Sequence, residues 1–149
     1  MRLQVTMEPA PSQPPSSSFR PHERLHVYKV ALDLAAEATS LAQALPKGHN
    51  TLAGQIRRSA SSCVLNIVEA AARRSRQDKS QRFGMARAEA LECQAACRMA
   101  AKLSSMKAEP LDRIDKLTDR VSAMLWRLTE KFGSWEGRRG SGQRSGPEP

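Results

Sequence analysis

Cys93 and Cys97 stand four residues apart, the spacing at which two thiols on one helix face could grip a metal such as zinc. No third and fourth ligand sits at a suitable spacing, and Cys63 makes the cysteine count an odd three. All three fall on segments of helical periodicity, which predicts reduced core thiols of a cytosolic protein rather than a disulfide framework. His22 and His26 repeat the four-residue spacing, but in the opening turns of a helix, where a solvated pair is the ordinary outcome. His49 lies in a loop, so no metal and no cofactor is expected. The sharpest polar constellation is Asn66, Glu69 and Arg73 along one helix face, with Arg82 and Arg87 available from the next helix. No second acid or base is placed to work with Glu69, so the pattern gives no catalytic residues and no enzyme. A buried glutamate must be paired, and an antiparallel neighbour carrying arginine is its obvious partner. Asn66, Glu69 and Arg87 are therefore expected to form a structural polar network, and Glu69→Ala to lower the thermal midpoint substantially.

The remaining chemistry is electrostatic. The formal charge is +9 with a pI near 10.2, and it is unevenly spread. Between Arg57 and Arg87 stand eight basic residues against two acidic ones, Glu69 and Asp78. Clustered arginine of this kind is the footprint of a polyanion binder, nucleic acid first among them; the competing reading is a solvated surface that keeps the protein soluble. The candidate phosphate contacts are Arg57, Arg58, Arg73, Arg74, Arg76, Lys79 and Arg82. Phe83 is the one aromatic in this stretch, so binding is expected to be indifferent to base sequence. Trp126, next to Arg127, is a candidate partner contact if exposed, although partial burial at a seam edge is its more usual fate.

These residues need elements to hold them. Residues 1–20, with four prolines and a serine run, read as a disordered arm, and 133–149, rich in glycine, serine and arginine, as a disordered tail. Between them, residues 21–132 carry four helical patterns. Pro21 to Leu45 has the row Leu25, Tyr28, Leu32, Ala35, Ala42 and Leu45. Pro46 and Gly48 break it, and Asn50 or Thr51 caps a second helix that runs to about Arg74. That helix has an apolar row at Ile56, Ala60, Cys63, Ile67 and Ala71. A further row, Val64, Leu65, Val68 and Ala72, has no use on the surface of a small monomer. Ser75 with Asp78 forms a capping box for helix three, to Met106. That helix carries Phe83, Ala86, Ala90, Cys93, Cys97, Ala101 and Ser104 on one side and a second row through Ala88, Leu91, Ala95, Met99 and Leu103. After a break at Lys107 to Pro110, helix four runs from Leu111 to Phe132. Short connections predict an all-α, antiparallel up-down-up-down four-helix bundle. The surplus apolar row predicts a homo-oligomer. No signal peptide and no membrane-length apolar stretch is present, so a cytoplasmic protein without a membrane partner is expected.

Particular residues carry a family resemblance. Leu25-x-Val27-Tyr28-x-x-Ala31, Leu45-Pro46, Leu52-x-x-Gln55-Ile56-Arg57-Arg58-Ser59-Ala60, Arg73-Arg74-Ser75, Arg82-Phe83, Ala86-Arg87 and Glu92 resemble the four-helix bundle family named after the ribosomal RNA intervening-sequence proteins. That family includes the accessory variability determinant proteins of diversity-generating retroelements. Its core motif typically reads S-I-P-S-N-I-A-E-G and stands here as Ser62-Cys63-Val64-Leu65-Asn66-Ile67-Val68-Glu69-Ala70. The resemblance implies a pentameric ring of bundles with a basic surface and no enzymatic activity. For the retroelement members it also implies binding to nucleic acid and to a reverse transcriptase. The chain departs from the motif at Val64, Leu65 and Ala70, and Glu89 stands where a serine is common. Residues and resemblance together point to a non-catalytic, oligomeric nucleic-acid-binding bundle, an accessory to a reverse transcriptase in its narrowest form. The alternative is a protein-protein scaffold whose charge serves solubility.

Overall fold

A computed structural model describes residues 20–134. The two expected arms lie outside this range except for Arg20, Gly133 and Ser134. The chain enters through a 3-10 turn, Pro21–Arg24, and then forms α1 (His26–Gln43), α2 (Asn50–Ala72), α3 (Arg76–Ser104) and α4 (Glu109–Gly133). Among the described residues there is no strand. Each helix packs against the next, α4 closes back on α1, and α1 and α3 lie diagonally. Side-chain pairs fix the directions. Arg82 meets Glu69 while Arg58 meets Glu92; Ser80 meets Thr129 while Arg98 meets Asp115; Arg120 meets His26 while Arg113 meets Glu37. In each set one number rises as the other falls, so α2/α3, α3/α4 and α4/α1 run antiparallel.

Element boundaries follow local chemistry. Leu25 is extended, with ψ 117°, so the expected first helix is a short turn and a later helix rather than one rod. Its buried face is centred on Val27, Ala31, Leu34, Ala38 and Leu41; of the expected row, Ala42 is buried, Leu25, Tyr28, Ala35 and Leu45 pack partly buried at the edge of the core, and Leu32 is exposed. The polar side decides this, because Lys29, Asp33 and Ser40 share one face and the buried row lies opposite. Neither Asn50 nor Thr51 caps α2; the N-cap is His49, without a side-chain bond. Ser75 does cap α3, its Oγ accepting from the Asp78 N–H at 3.3 Å. Ser105, left-handed at φ 54°, ends α3, and Pro110 lies in the first turn of α4 rather than in the break, where its missing N–H costs nothing.

The core row of α2 is buried as expected from Ile56 to Ile67, facing Phe83, Ala86, Ala90, Cys93 and Cys97 of α3. Burial pushes the Cys63 thiol up to about 12, helped by Cys93 and Glu89 nearby. Cys97 is pushed up as well, by its hydrogen bond to Cys93 and then by burial. Cys93 moves the other way, lowered by the hydrogen bond it shares with Cys97. All three thiols are buried, so a thiol reagent at neutral pH is expected to find no cysteine in the folded protein and all three after denaturation. Cys63 also has a linked effect. The unfolded thiol ionises near its ordinary 9.0 while the folded one stays protonated, so its stabilising contribution is lost as pH rises from 9 towards 12.

Two further groups set the α3/α4 seam. Arg98 grips Asp115 through Nε at 3.1 Å and Nη2 at 2.8 Å, and Gln94 adds a bond at 2.8 Å. The Arg98 bond, joined by Gln94, holds the Asp115 carboxyl below the usual range, so its contribution is present above about pH 4 and lost as pH falls further. Thr118, fully buried on α4, has a hydroxyl with no partner among the described residues. Replacing an orphan hydroxyl with a methyl of similar shape removes a desolvation cost. Thr118→Val is therefore expected to stabilise the protein by about 1 kcal/mol, raising the calorimetric midpoint by about 4 °C.

Candidate nucleic-acid interface

The antiparallel arrangement brings three chain ends to one pole: the end of α2, the start of α3 and the end of α4. Arg73, Arg74, Arg76 and Lys79 lie in or beside the α2/α3 turn, and Lys131 joins them from the last turn of α4. Their common anchor is Phe132, which stacks on buried Phe83 at a centroid distance of 5.9 Å. Around the Phe132 ring stand Arg76 at 5.2 Å, Lys79 at 5.7 Å and Lys131 at 5.7 Å. None of the three is paired with a carboxylate among the described residues. Three like charges around one ring repel, and the ring's negative face offsets part of that cost.

Two of these cations also hold the fold. Lys79 Nζ donates to the Ala70 and Ala71 carbonyls at 3.3 and 3.1 Å, closing the end of α2, and Arg76 donates to the Lys131 carbonyl near the end of α4. Positive charge at a helix C-terminus is favourable. An ammonium has three donors and a guanidinium five, so both keep donors free for an anion.

The other candidate residues divide. Arg73 lies 3.8 Å from Glu69, a loose half-exposed pair, and Arg74 is exposed without an ion pair among the described residues. Arg82 is engaged: it meets Glu69 at 3.2 Å and Asn66 Oδ1 at 3.4 Å. Arg57 and Arg58 lie some 16 residues up α2 from Arg73, roughly 24 Å at 1.5 Å per residue, and Arg58 is paired with Glu92 at 2.8 Å. The structure thus breaks the sequence cluster into a pole and a distant pair.

The expected polar network is also redrawn. Asn66 is buried and donates to the Ser62 carbonyl at 2.9 Å. Glu69, expected to be buried, has a side chain 47% exposed and is paired with Arg82 rather than Arg87. Arg87 lies on the other side of α3, bonded to Ser122 at 3.0 Å and stacked over Trp126 at 5.3 Å. At helical pitch Arg82 and Arg87 point apart, one to α2 and one to α4, a distinction the sequence shows only once the α3 core row is fixed. An ion pair this exposed is worth about 1 kcal/mol at most. Glu69→Ala is therefore expected to lower the midpoint by about 4 °C or less, not substantially.

Charge clustered along the chain does not bring Lys131 to this pole, and Phe132 reads from the sequence as the last residue of the α4 seam, with no cation attached to it. Their signal was there: in an up-down bundle the end of α4 must meet the α2/α3 turn. Elsewhere, Asp33, Glu37, Arg113 and Lys116 line an open depression of about 410 Å³ between α1 and α4, where Arg113 and Glu37 pair across the seam. Among the described residues no group of three His, Cys, Asp or Glu side chains is arranged to hold a metal, and no helix is long and apolar enough to cross a membrane.

The comparisons with known proteins agree on the fold. The sequence model of the 23S rRNA-intervening sequence protein family matches residues 23–127. The chain is similar in structure to a protein of unknown function from the S23 ribosomal protein family of Bacteroides thetaiotaomicron. The TM-score is 0.64 at 23% identity, covering 70% of this chain and 98% of that one. No curated protein matches the chain.

Proposed function

We propose, from the premise that the chain belongs to the 23S rRNA-intervening sequence protein family, that it is a non-catalytic nucleic-acid-binding protein working as a cytoplasmic homo-oligomer. The observation that carries the reading is the pole itself: Arg76, Lys79 and Lys131 around one ring, with Arg73 and Arg74 beside them and, among the described residues, no carboxylate partner for the three on the ring. Fixed, close-set cations without counter-charges suit a phosphate backbone, whose neutralisation releases counterions. The family's name, which refers to an RNA, fits the same ligand. In an oligomer the pole recurs in every subunit, so single weak contacts add to a strong multivalent one. The narrowest form of the reading is the ring of five and the reverse transcriptase partner that the resemblance implies. A gene for such an enzyme beside this one, and its co-purification with this protein, would support that form.

The test is a mobility shift of structured RNA and of duplex DNA at two salt concentrations. Retardation that weakens steeply with salt is expected, and none at low salt ends the reading. One specific observation favours a scaffold instead: Leu65, Met99, Leu103 and Trp126 are all more than half exposed. Capture of one defined protein that survives nuclease treatment would favour it.

A further inference from the structure

Cations at the pole account for phosphates and leave the bases of a nucleic acid without a partner. Among the described residues one Phe, Tyr or Trp ring is open enough to meet them. Phe83 is buried, Phe132 is stacked on it and surrounded by cations, and Tyr28 is partly buried with His22 edge-on at 4.8 Å. Trp126 of α4 is 51% exposed. It stands six residues before Phe132, about 9 Å along the helix axis from the pole.

The ring is held and flanked by charge. Arg87 reaches over it from α3, its guanidinium carbon 5.3 Å from the ring centroid and its Nε donating to Ser122 at 3.0 Å. Those two contacts fix the guanidinium. It has no carboxylate partner among the described residues, so its terminal nitrogens keep donors for an anion. On α4 itself two adjacent rows differ in character. Trp126 and Glu130, one turn apart, present a flat ring and a hydrogen-bond acceptor; Arg127 and Lys131, on the next row, present two cations without a carboxylate partner among the described residues. A nucleotide has the same two sides, a flat base bearing amino donors and a phosphate. Glu130 repels a phosphate from the row of the ring, which leaves that row to the base and the cation row to the backbone.

We infer that Trp126 is a stacking platform for an unpaired nucleobase, with Arg87 holding the ring from α3 and Arg127 and Lys131 taking the flanking phosphates. The inference rests on the nucleic-acid reading above and narrows its ligand to strands with unpaired bases. A duplex keeps its base faces stacked on one another and has none to offer the ring. Every base has a flat face, so binding stays indifferent to which base is present and becomes dependent on a base being present and unpaired.

The experiment uses the full chain carrying Trp135→Phe, which leaves Trp126 as its one tryptophan. The probes are an end-labelled single-stranded RNA of about 12 nucleotides, within the range a single-strand site covers, and an abasic strand of the same length and charge, both at low salt. Label anisotropy reads binding and tryptophan emission reads stacking. The intact strand is expected to quench Trp126, and the abasic strand to bind more weakly without quenching. Adding Trp126→Ala should weaken binding of the intact strand roughly five- to hundredfold, the range for losing one stacked base, and leave the abasic strand nearly unaffected; Trp126→Phe should restore most of the loss. Quenching and the abasic strand decide the matter even if Trp126→Ala fails to fold. No binding of the intact strand overturns this inference and the nucleic-acid reading together. Equal binding of the two strands, emission that RNA leaves unchanged, or a Trp126→Ala loss as large for the abasic strand as for the intact one overturns the stacking platform and leaves the nucleic-acid reading standing. Emission that responds to a captured protein and not to RNA also overturns it and gives the ring to the scaffold.

Discussion

Phe83→Ala is expected to lower the thermal midpoint by about 12–20 °C, from a loss of about 3–5 kcal/mol at roughly 4 °C per kcal/mol for a domain of this size. Phe83 is the largest fully enclosed side chain, set among small neighbours, Ala86 and Ala90, that cannot swell to fill the space. The cavity would therefore stay open, which puts the cost towards the upper end of its range. Phe83 also supports the pole, since Phe132 stacks on it and Arg76, Lys79 and Lys131 surround Phe132. Phe83→Leu separates the two roles. It keeps most of the volume and gives up the stacked ring, so the midpoint should fall by less than half as much. Differential scanning calorimetry at neutral pH measures both, and a fall of only a degree or two for Phe83→Ala would mean that the core can collapse around Ala86 and Ala90.

The periodicity of α2 carried enough information to place it: Ile56, Ala60, Cys63 and Ile67 are buried as the spacing demanded. For α1 two neighbouring rows were both apolar, and only the placement of Lys29, Asp33 and Ser40 separates the core row from the row through Leu32. The surplus row of α2 turned out to be split, with Val64 buried, Val68 half-buried and Leu65 59% exposed. The larger unpartnered surface is the second row of α3, visible in the sequence as Ala88, Leu91, Ala95, Met99 and Leu103. A helix apolar on two sides does not say which side meets its own bundle, and that ambiguity is physical rather than a matter of pattern strength. The candidate site was legible as composition but not as geometry. Arg58 and Arg82 have carboxylates within reach only because α2 and α3 run antiparallel in this register, and Lys131 is some fifty residues from the turn it joins.

That geometry makes a sharp prediction about which cations bind. Arg73, Arg74 and Lys131 can be removed together with little effect on the fold, because among the described residues their side chains make only one loose pair and one contact to a half-buried ring. Arg76 and Lys79 cannot, since both close helix ends. For duplex nucleic acid each phosphate contact adds about 0.9 to the slope of log affinity against log salt, so the triple alanine variant is expected to reduce that slope by about 2.7. Its thermal midpoint should stay within a few degrees of the parent, as exposed substitutions usually do. Arg57→Ala with Arg58→Ala is the matched comparison, made on the same helix roughly 24 Å away. If the pole is the interface, this pair leaves the slope of a short duplex nearly unchanged, although Arg58 also gives up its bond to Glu92. If instead the slope falls by about 1.8 for the pair and hardly at all for the triple, the phosphates lie along α2. The ring of cations around Phe132 would then be a device for closing the ends of α2 and α4, with no ligand of its own.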